Sequence, residues 1–267
     1  MAKQRDEPRI SVNKLAQYVT SRAARQNQIL RNAKFPPDYI TTYYRDAAEA
    51  IARFLAGGMI DLSILDNSIS VLSQKVAGNV YETRRVAGNI DAIETFASLL
   101  DDINYGGASA KLGAQKAPHL VLGGVEISVR PEVTLHSTSK AGDMVGGIKL
   151  HFPKTEPMDE EQANLVSALM SAFCKDHLWK DGTPLPAHCI VIDLASGKVY
   201  PGVKSVKQRL KDIEKCLRSN CNAVAGDREV KWPILDPRMA KFGRTQIQRS
   251  ALIKQWVVNR LPFSVLF

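Results

Sequence analysis

The sequence predicts an α/β protein, a mixed β-sheet with flanking helices, preceded by an N-terminal helical region. Up to about residue 105 the apolar residues recur at helical spacing, and after residue 118 they alternate with a period of two. Beyond residue 159 helical and strand patterns interleave, which is the texture of an α/β layer rather than of separate all-α and all-β parts.

The elements follow in order. Ser11 is an N-cap, and Leu15, Tyr18, Val19 and Ala23 carry a helix on to Ile29 and Leu30. The stretch Lys34-Phe35-Pro36-Pro37-Asp38 ends it. A second helix runs from about Ile40 to Leu55 and stops at Gly57-Gly58; Asp61 to Val76 again has helical spacing. Asn89 is the expected cap of a helix carrying Ile90, Ile93, Phe96, Leu99 and Leu100. Gly106-Gly107-Ala108-Ser109-Ala110 reads as a flexible join, dividing a helical region (1–110) from an α/β core (111–267). In that core His119 to Leu122 meets the hairpin signal Gly123-Gly124, and Val125, Ile127 and Val129 alternate with polar residues. Val133 and Leu135 continue that strand past Pro131, which suits an edge or a bulge. A loop over 136–143 leads to a strand from Met144 to Phe152, a helix from Asp159 to Leu178, and a buried strand from Cys189 to Leu194. Ser196-Gly197 turns that strand into Lys198–Tyr200, and Val206, Leu210, Ile213 and Leu217 form the stripe of a last amphipathic helix.

Composition narrows the class. With 45% hydrophobic and 24% charged residues in 267, the chain has the makings of a folded core rather than of a disordered segment. No stretch reaches the roughly 18 apolar residues of a membrane span. The opening MAKQRDEPRISV lacks the apolar region of a secretory signal, and four cysteines do not make a disulfide scaffold. A cytoplasmic protein with no membrane partner is expected. The formal net charge is +9, unevenly spread: residues 1–56 carry +5, 57–197 carry −6, and 198–267 carry +10. Two basic ends point to an anionic partner, DNA or other nucleic acid above all. Lys204, Lys211, Lys215 and Arg218 on the last helix, with Arg22, Arg25 and Arg31 on the first, are the expected phosphate contacts, against the plainer reading of solvated helix faces.

One pair carries chemistry. If the strands 125–135 and 144–152 form a hairpin centred near residues 139–140, Glu132 falls opposite Gly147 and Lys149 opposite Arg130. Diagonal neighbours on one face are within reach, so Glu132 and Lys149 address one site. A carboxylate holding a divalent cation beside a lysine that orients water is an arrangement for metal-assisted hydrolysis; a surface ion pair is the alternative.

The run Arg130-Pro131-Glu132, followed by Ile148-Lys149 in the middle of an apolar strand, resembles the PD-(D/E)XK nuclease superfamily, and most closely its RecB-type branch. The likeness covers mostly residues 119–200, with weaker echoes at 10–30, where Ile10 to Leu15 is similar to the opening of those nucleases, and at 204–222. It implies a restriction-endonuclease-like α-β-β-β-α-β core and a Mg²⁺- or Mn²⁺-dependent deoxyribonuclease. Glu132 would hold the metal, Lys149 would be catalytic, and Glu94 on the preceding helix would complete the site. DNA repair, mobile elements or anti-phage defence are the settings such proteins serve. The sequence departs from the family at Gly147, where the motif has its second acid. Either Asp143 or Glu94 fills that place, or the fold persists without the chemistry, as a silent subunit that scaffolds a complex or holds nucleic acid for a partner enzyme.

Other signals are weaker. Cys174-x-x-His177 with His188-Cys189 has zinc-ligand chemistry, but core packing is the favoured reading. No P-loop, nucleophile elbow or dinucleotide loop is present. The apolar run from Trp256 to Phe267 either docks on the core or offers a surface to a protein partner. A helical adaptor unrelated to nucleic acid is the third functional reading.

Overall fold

A computed structural model describes residues 9–35, 43–140 and 142–223. The apolar segment 256–267 lies outside the described residues, which all belong to a single compact unit. Within them the protein is α/β, built on a five-stranded mixed sheet and a small three-stranded one.

The first described element is β1 (Arg9–Ser11), which runs directly into α1 (Val12–Thr20) because Ser11 Oγ accepts from the Lys14 N–H at 3.4 Å. The expected single helix is two, since Ser21 and Arg22 are extended and α2 (Ala23–Lys34) starts afresh. Then come α3 (Arg45–Ala56), α4 (Ser63–Ser73) and α5 (Val80–Ser98). The last of these begins well before Asn89. Asn79 caps it by accepting from the Glu82 N–H at 2.9 Å, while Glu82 reaches back to the Gly78 N–H at 2.8 Å. Asn89 is fully buried in mid-helix, and its Oδ1 instead accepts from the Ala47 N–H at 2.8 Å in the first turn of α3. The expected cap at Asn89 is therefore not the start of its own helix; its amide oxygen serves the start of α3 instead.

The glycine-rich join runs into a strand that local pattern does not announce, β2 (Ser109–Leu112). The hairpin of β3 (Leu120–Leu122) and β4 (Val125–Ser128) turns through Gly123 and Gly124 at φ 59° and 82°, values that glycine adopts without strain. The expected continuous strand 125–135 is broken. β4 stays in the small sheet, order β1-β4-β3, and after Arg130-Pro131 the chain enters the large sheet as β5 (Val133–Ser139). β6 (Gly142–His151), the crossing helix α6 (Glu160–His177) and β7 (Thr183–Asp193) follow, then β8 (Lys198–Tyr200) and α7 (Val206–Ala223). The large sheet is ordered β2-β5-β6-β7-β8, with β6 and β7 parallel and the other neighbours antiparallel. A parallel pair needs a crossover connection, and α6 is that connection.

Strand alternation divides the core in two. Val145, Cys189 and Val191 face one cluster with α1, α6, α7 and the small sheet, through Leu15, Tyr18, Leu169, Phe173, Ile213 and Leu217. Val133, Leu135, Ile148, Leu150, Ile190 and Ile192 face the other, filled by α3, α4 and α5 with Phe54, Leu65, Ile93 and Phe96. The helices of the first 110 residues therefore pack on both faces of the large sheet.

Candidate functional site

The break between β4 and β5 builds the site. Pro131 is buried and has no N–H for a ladder, so the chain leaves one sheet there and joins the next. Glu132 is pinned on both sides: its N–H donates to Ile148 O at 3.0 Å and its carbonyl accepts from the Gly113 N–H at 2.9 Å. The observed pairing Val133↔Ile148 is two residues from the expected register, and the ladder ends there, with Glu132 one residue beyond it and Lys149 next to its end. The shift is even, so the two side chains still share a face. Lys149 Nζ donates to Glu132 Oε1 at 2.8 Å and to Arg130 O at 2.8 Å, and the Leu150 N–H donates to Glu132 Oε2 at 2.9 Å. Both side chains are mostly buried, at 12% exposure for Lys149 and 21% for Glu132.

Arg130 adopts φ +41°, a left-handed backbone that costs a non-glycine residue of order 1–3 kcal/mol. A following proline disfavours it further, since it steers its predecessor to extended backbone. The Lys149 hydrogen bond to its carbonyl holds the conformation.

Next along β6, His151 is buried. Its Nε2 lies 2.7 Å from Glu156 O and must donate, so Nδ1 accepts from Asn13 Nδ2 at 3.3 Å; Asn13 Nδ2 also donates to Leu150 O at 3.2 Å. Both ring nitrogens are satisfied only in the neutral form. Burial pushes the His151 pKa down to about 4, Asp193 pulls it the other way, and Lys14 and Lys149 lower it further. Glu156 holds Lys14 and Arg25 together, tying α1 and α2 to the loop before α6. Burial, then the Arg25 charge, lowers the Lys14 pKa.

The residues do not fit a divalent metal. Glu132 accepts one hydrogen bond on each oxygen, from Lys149 and from the Leu150 N–H, and among the described residues no second carboxylate stands beside it to complete a ligand set. A side chain at Gly147 would start 3.0 Å from Pro131 Cβ and Val133 O and 3.3 Å from Met170 Sδ, so the missing acid would enter only if these neighbours gave way by a few tenths of an ångström. Asp143 stays at the far end of β6, accepting from Thr138 Oγ1 at 2.8 Å, six residues or about 20 Å from Lys149. Glu94 is exposed on α5, whose buried residues pack on the opposite face of the sheet. Among the described residues no group of three His, Cys, Asp or Glu side chains is placed to hold a metal ion. Among the described residues the zinc-type pairs form no group of metal ligands either. The Cys174 and Cys189 thiols are hydrogen-bonded in the core, where that contact and burial push the Cys189 thiol well up, while His177 meets His119 O at 3.1 Å.

The expected phosphate contacts are placed unevenly. α2 and α7 lie on the same side of the large sheet as the Glu132–Lys149 pair, held by Ile29, Ile213 and Leu217. Arg22, Arg31, Lys204, Lys211 and Lys215 are exposed. Arg25 is committed to Glu156, and Arg218 pairs with Glu214 at 2.6 Å. Asn13, His151 and Arg130 are site residues that periodicity does not single out. Only the Arg-Pro step marking the strand break hints at the last.

Compared with known proteins, the chain matches no protein-family model and no curated protein. No helix among the described residues is long and apolar enough to cross a membrane.

Proposed function

We propose that the chain is a catalytically silent, nuclease-like protein that holds nucleic acid by its phosphates, in a complex whose chemistry a partner supplies. The observation that carries the silent part is that Glu132 has no companion ligands: among the described residues no group of three His, Cys, Asp or Glu side chains is placed to hold a metal ion. Once the small-sheet hairpin β3–β4 is set aside as an insertion, the order α5, β2, β5, β6, α6, β7 reads α-β-β-β-α-β, the order of the restriction-endonuclease-like core, and supports the fold assignment behind the resemblance. Glu132 and Lys149 keep the positions of that family's metal ligand and catalytic lysine, but as a structural clamp that joins the two sheets. The nucleic-acid part rests on the net charge of +9 and on the exposed cations of α2 and α7, which share the clamp's side of the sheet.

The test is to mix the full chain with labelled duplex and single-stranded DNA at rising salt, with and without Mg²⁺ or Mn²⁺. Intact DNA and an affinity that falls steeply with salt are expected. Metal-dependent cleavage abolished by Lys149→Ala would overturn the silent reading and restore the deoxyribonuclease. Absent or salt-insensitive binding would overturn the nucleic-acid reading and leave the helical adaptor.

A further inference from the structure

We propose that Arg130 is a phosphodiester contact, presented to nucleic acid by the Glu132–Lys149 clamp; this rests on the nucleic-acid reading above. Among the described residues two that are not glycine adopt positive φ, Met59 at 60° and Arg130 at 41°. The side chain of Met59 packs against the core of α3–α5, and that packing accounts for its presence. The side chain of Arg130 is exposed and makes no hydrogen bond or ion pair with any described residue. Glycine meets a left-handed backbone at no steric cost, and the chain uses it for Gly123, Gly124 and Gly197. At 130 the chain carries a long cationic side chain instead, ahead of a proline that makes the conformation harder still. Nothing among the described residues uses that side chain.

The backbone under Arg130 is fixed. Lys149 Nζ grips the Arg130 carbonyl at 2.8 Å, and Lys149 is in turn held by Glu132, so the backbone that projects the guanidinium is fixed before any ligand arrives. The parallel pairing Ser11↔Ser128 makes the chain leave β4 beside the start of α1, two residues before Arg130. Arg130 thus emerges on the side of the sheet that also carries α2 and α7. A guanidinium offers a planar fork of donors that matches two phosphate oxygens, and a rigid base under it reduces the entropy lost on contact.

Substitution at this residue separates ligand binding from folding. Arg130→Gly relieves the backbone, so its melting temperature stays level or rises. If Arg130 neutralises one phosphate, the slope of log affinity against log salt falls by about one, and affinity for a labelled DNA duplex at 0.1 M salt falls about eightfold. Arg130→Lys keeps the salt slope and loses only the fork. Wild-type affinity and slope in Arg130→Gly would overturn the proposal while leaving the nucleic-acid reading intact. No binding by the wild-type chain would overturn both. Should Arg130→Gly fail to fold, Arg130→Asn carries the same comparison, because asparagine tolerates left-handed backbone; an arginine needed for folding in both variants would overturn the proposal too.

Discussion

Lys149 Nζ meets Glu132 Oε1 at 2.8 Å just beyond the last ladder pair, Val133↔Ile148, where the chain passes from the small sheet to the large one. The contact closes a loop of interactions: lysine to carboxylate, carboxylate to the Leu150 N–H, and lysine to the Arg130 carbonyl. The pair is a clamp between sheets, and its worth is set by what each partner leaves behind when the other is removed.

That gives the first prediction. Lys149→Met leaves a mostly buried carboxylate without its cation, and Glu132→Gln leaves the cation without its counter-charge. Each is expected to cost roughly 2–4 kcal/mol, and the double variant is expected to cost less than the two together. Urea unfolding of the four proteins measures it; strict additivity would mean the two residues do not act as a unit.

Restoring the family's acid should harm the protein. Gly147→Asp forces a Cβ to within 3.0 Å of Pro131 Cβ and Val133 O and buries a carboxylate among apolar groups. Overpacking alone costs about 1–3 kcal/mol, and the unpaired carboxylate adds to it. A lowered melting temperature with no gain in Mg²⁺-dependent DNA cleavage is expected, whereas a well-folded variant that cuts DNA would show that the site has room.

His151 sets a pH dependence. Its folded pKa of about 4 lies below the unfolded value near 6.5, so between those values the unfolded chain takes up a proton that the folded protein refuses. The group's contribution is fully present above pH 6.5, declines as the pH falls to 4, and is flat below; the total loss is about 3 kcal/mol. Urea unfolding at pH 7, 5.5 and 4 should show that decline, and His151→Gln should flatten it over the same window.

Asn89 stitches α5 to α3. Its Nδ2 donates to Tyr43 O at 2.6 Å and Arg85 O at 2.7 Å, and its Oδ1 caps the Ala47 N–H. Asn89→Ala leaves the buried Ala47 N–H unpaired and removes two further, part-buried bonds, and is expected to cost about 2–3 kcal/mol. Asn89→Asp can keep the cap but cannot donate, so it should not rescue. Thermal melts rank the three proteins.

The basic residues should not contribute alike. Lys211→Ala removes an exposed cation and is expected to lower the salt slope of DNA binding by about one. Arg25→Ala removes a charge already neutralised by Glu156 and should leave the slope nearly unchanged. Equal losses in titrations from 50 to 200 mM salt would mean the Glu156 pair opens when nucleic acid binds.

What the sequence determined by itself was set by local chemistry. The α/β class, the hairpin at Gly123-Gly124, the helix capped by Asp159 and the stripe of α7 follow from periodicity, turn glycines and caps, which act within a few residues. The shared face of Glu132 and Lys149 was legible too, because strand parity survives an even error in register. Tertiary structure decided the rest. β2 is too short and too polar to announce itself, and exists because the edge of β5 accepts it. Asn89 has the chemistry of a cap, but only packing brings α3 to it. The split at Arg130-Pro131 sends one apparent strand into two sheets, a choice made by partners far along the chain. The emptiness or fullness of the space at Gly147 depends on Pro131, Val133 and Met170 meeting there, and no spacing in the sequence encodes that convergence.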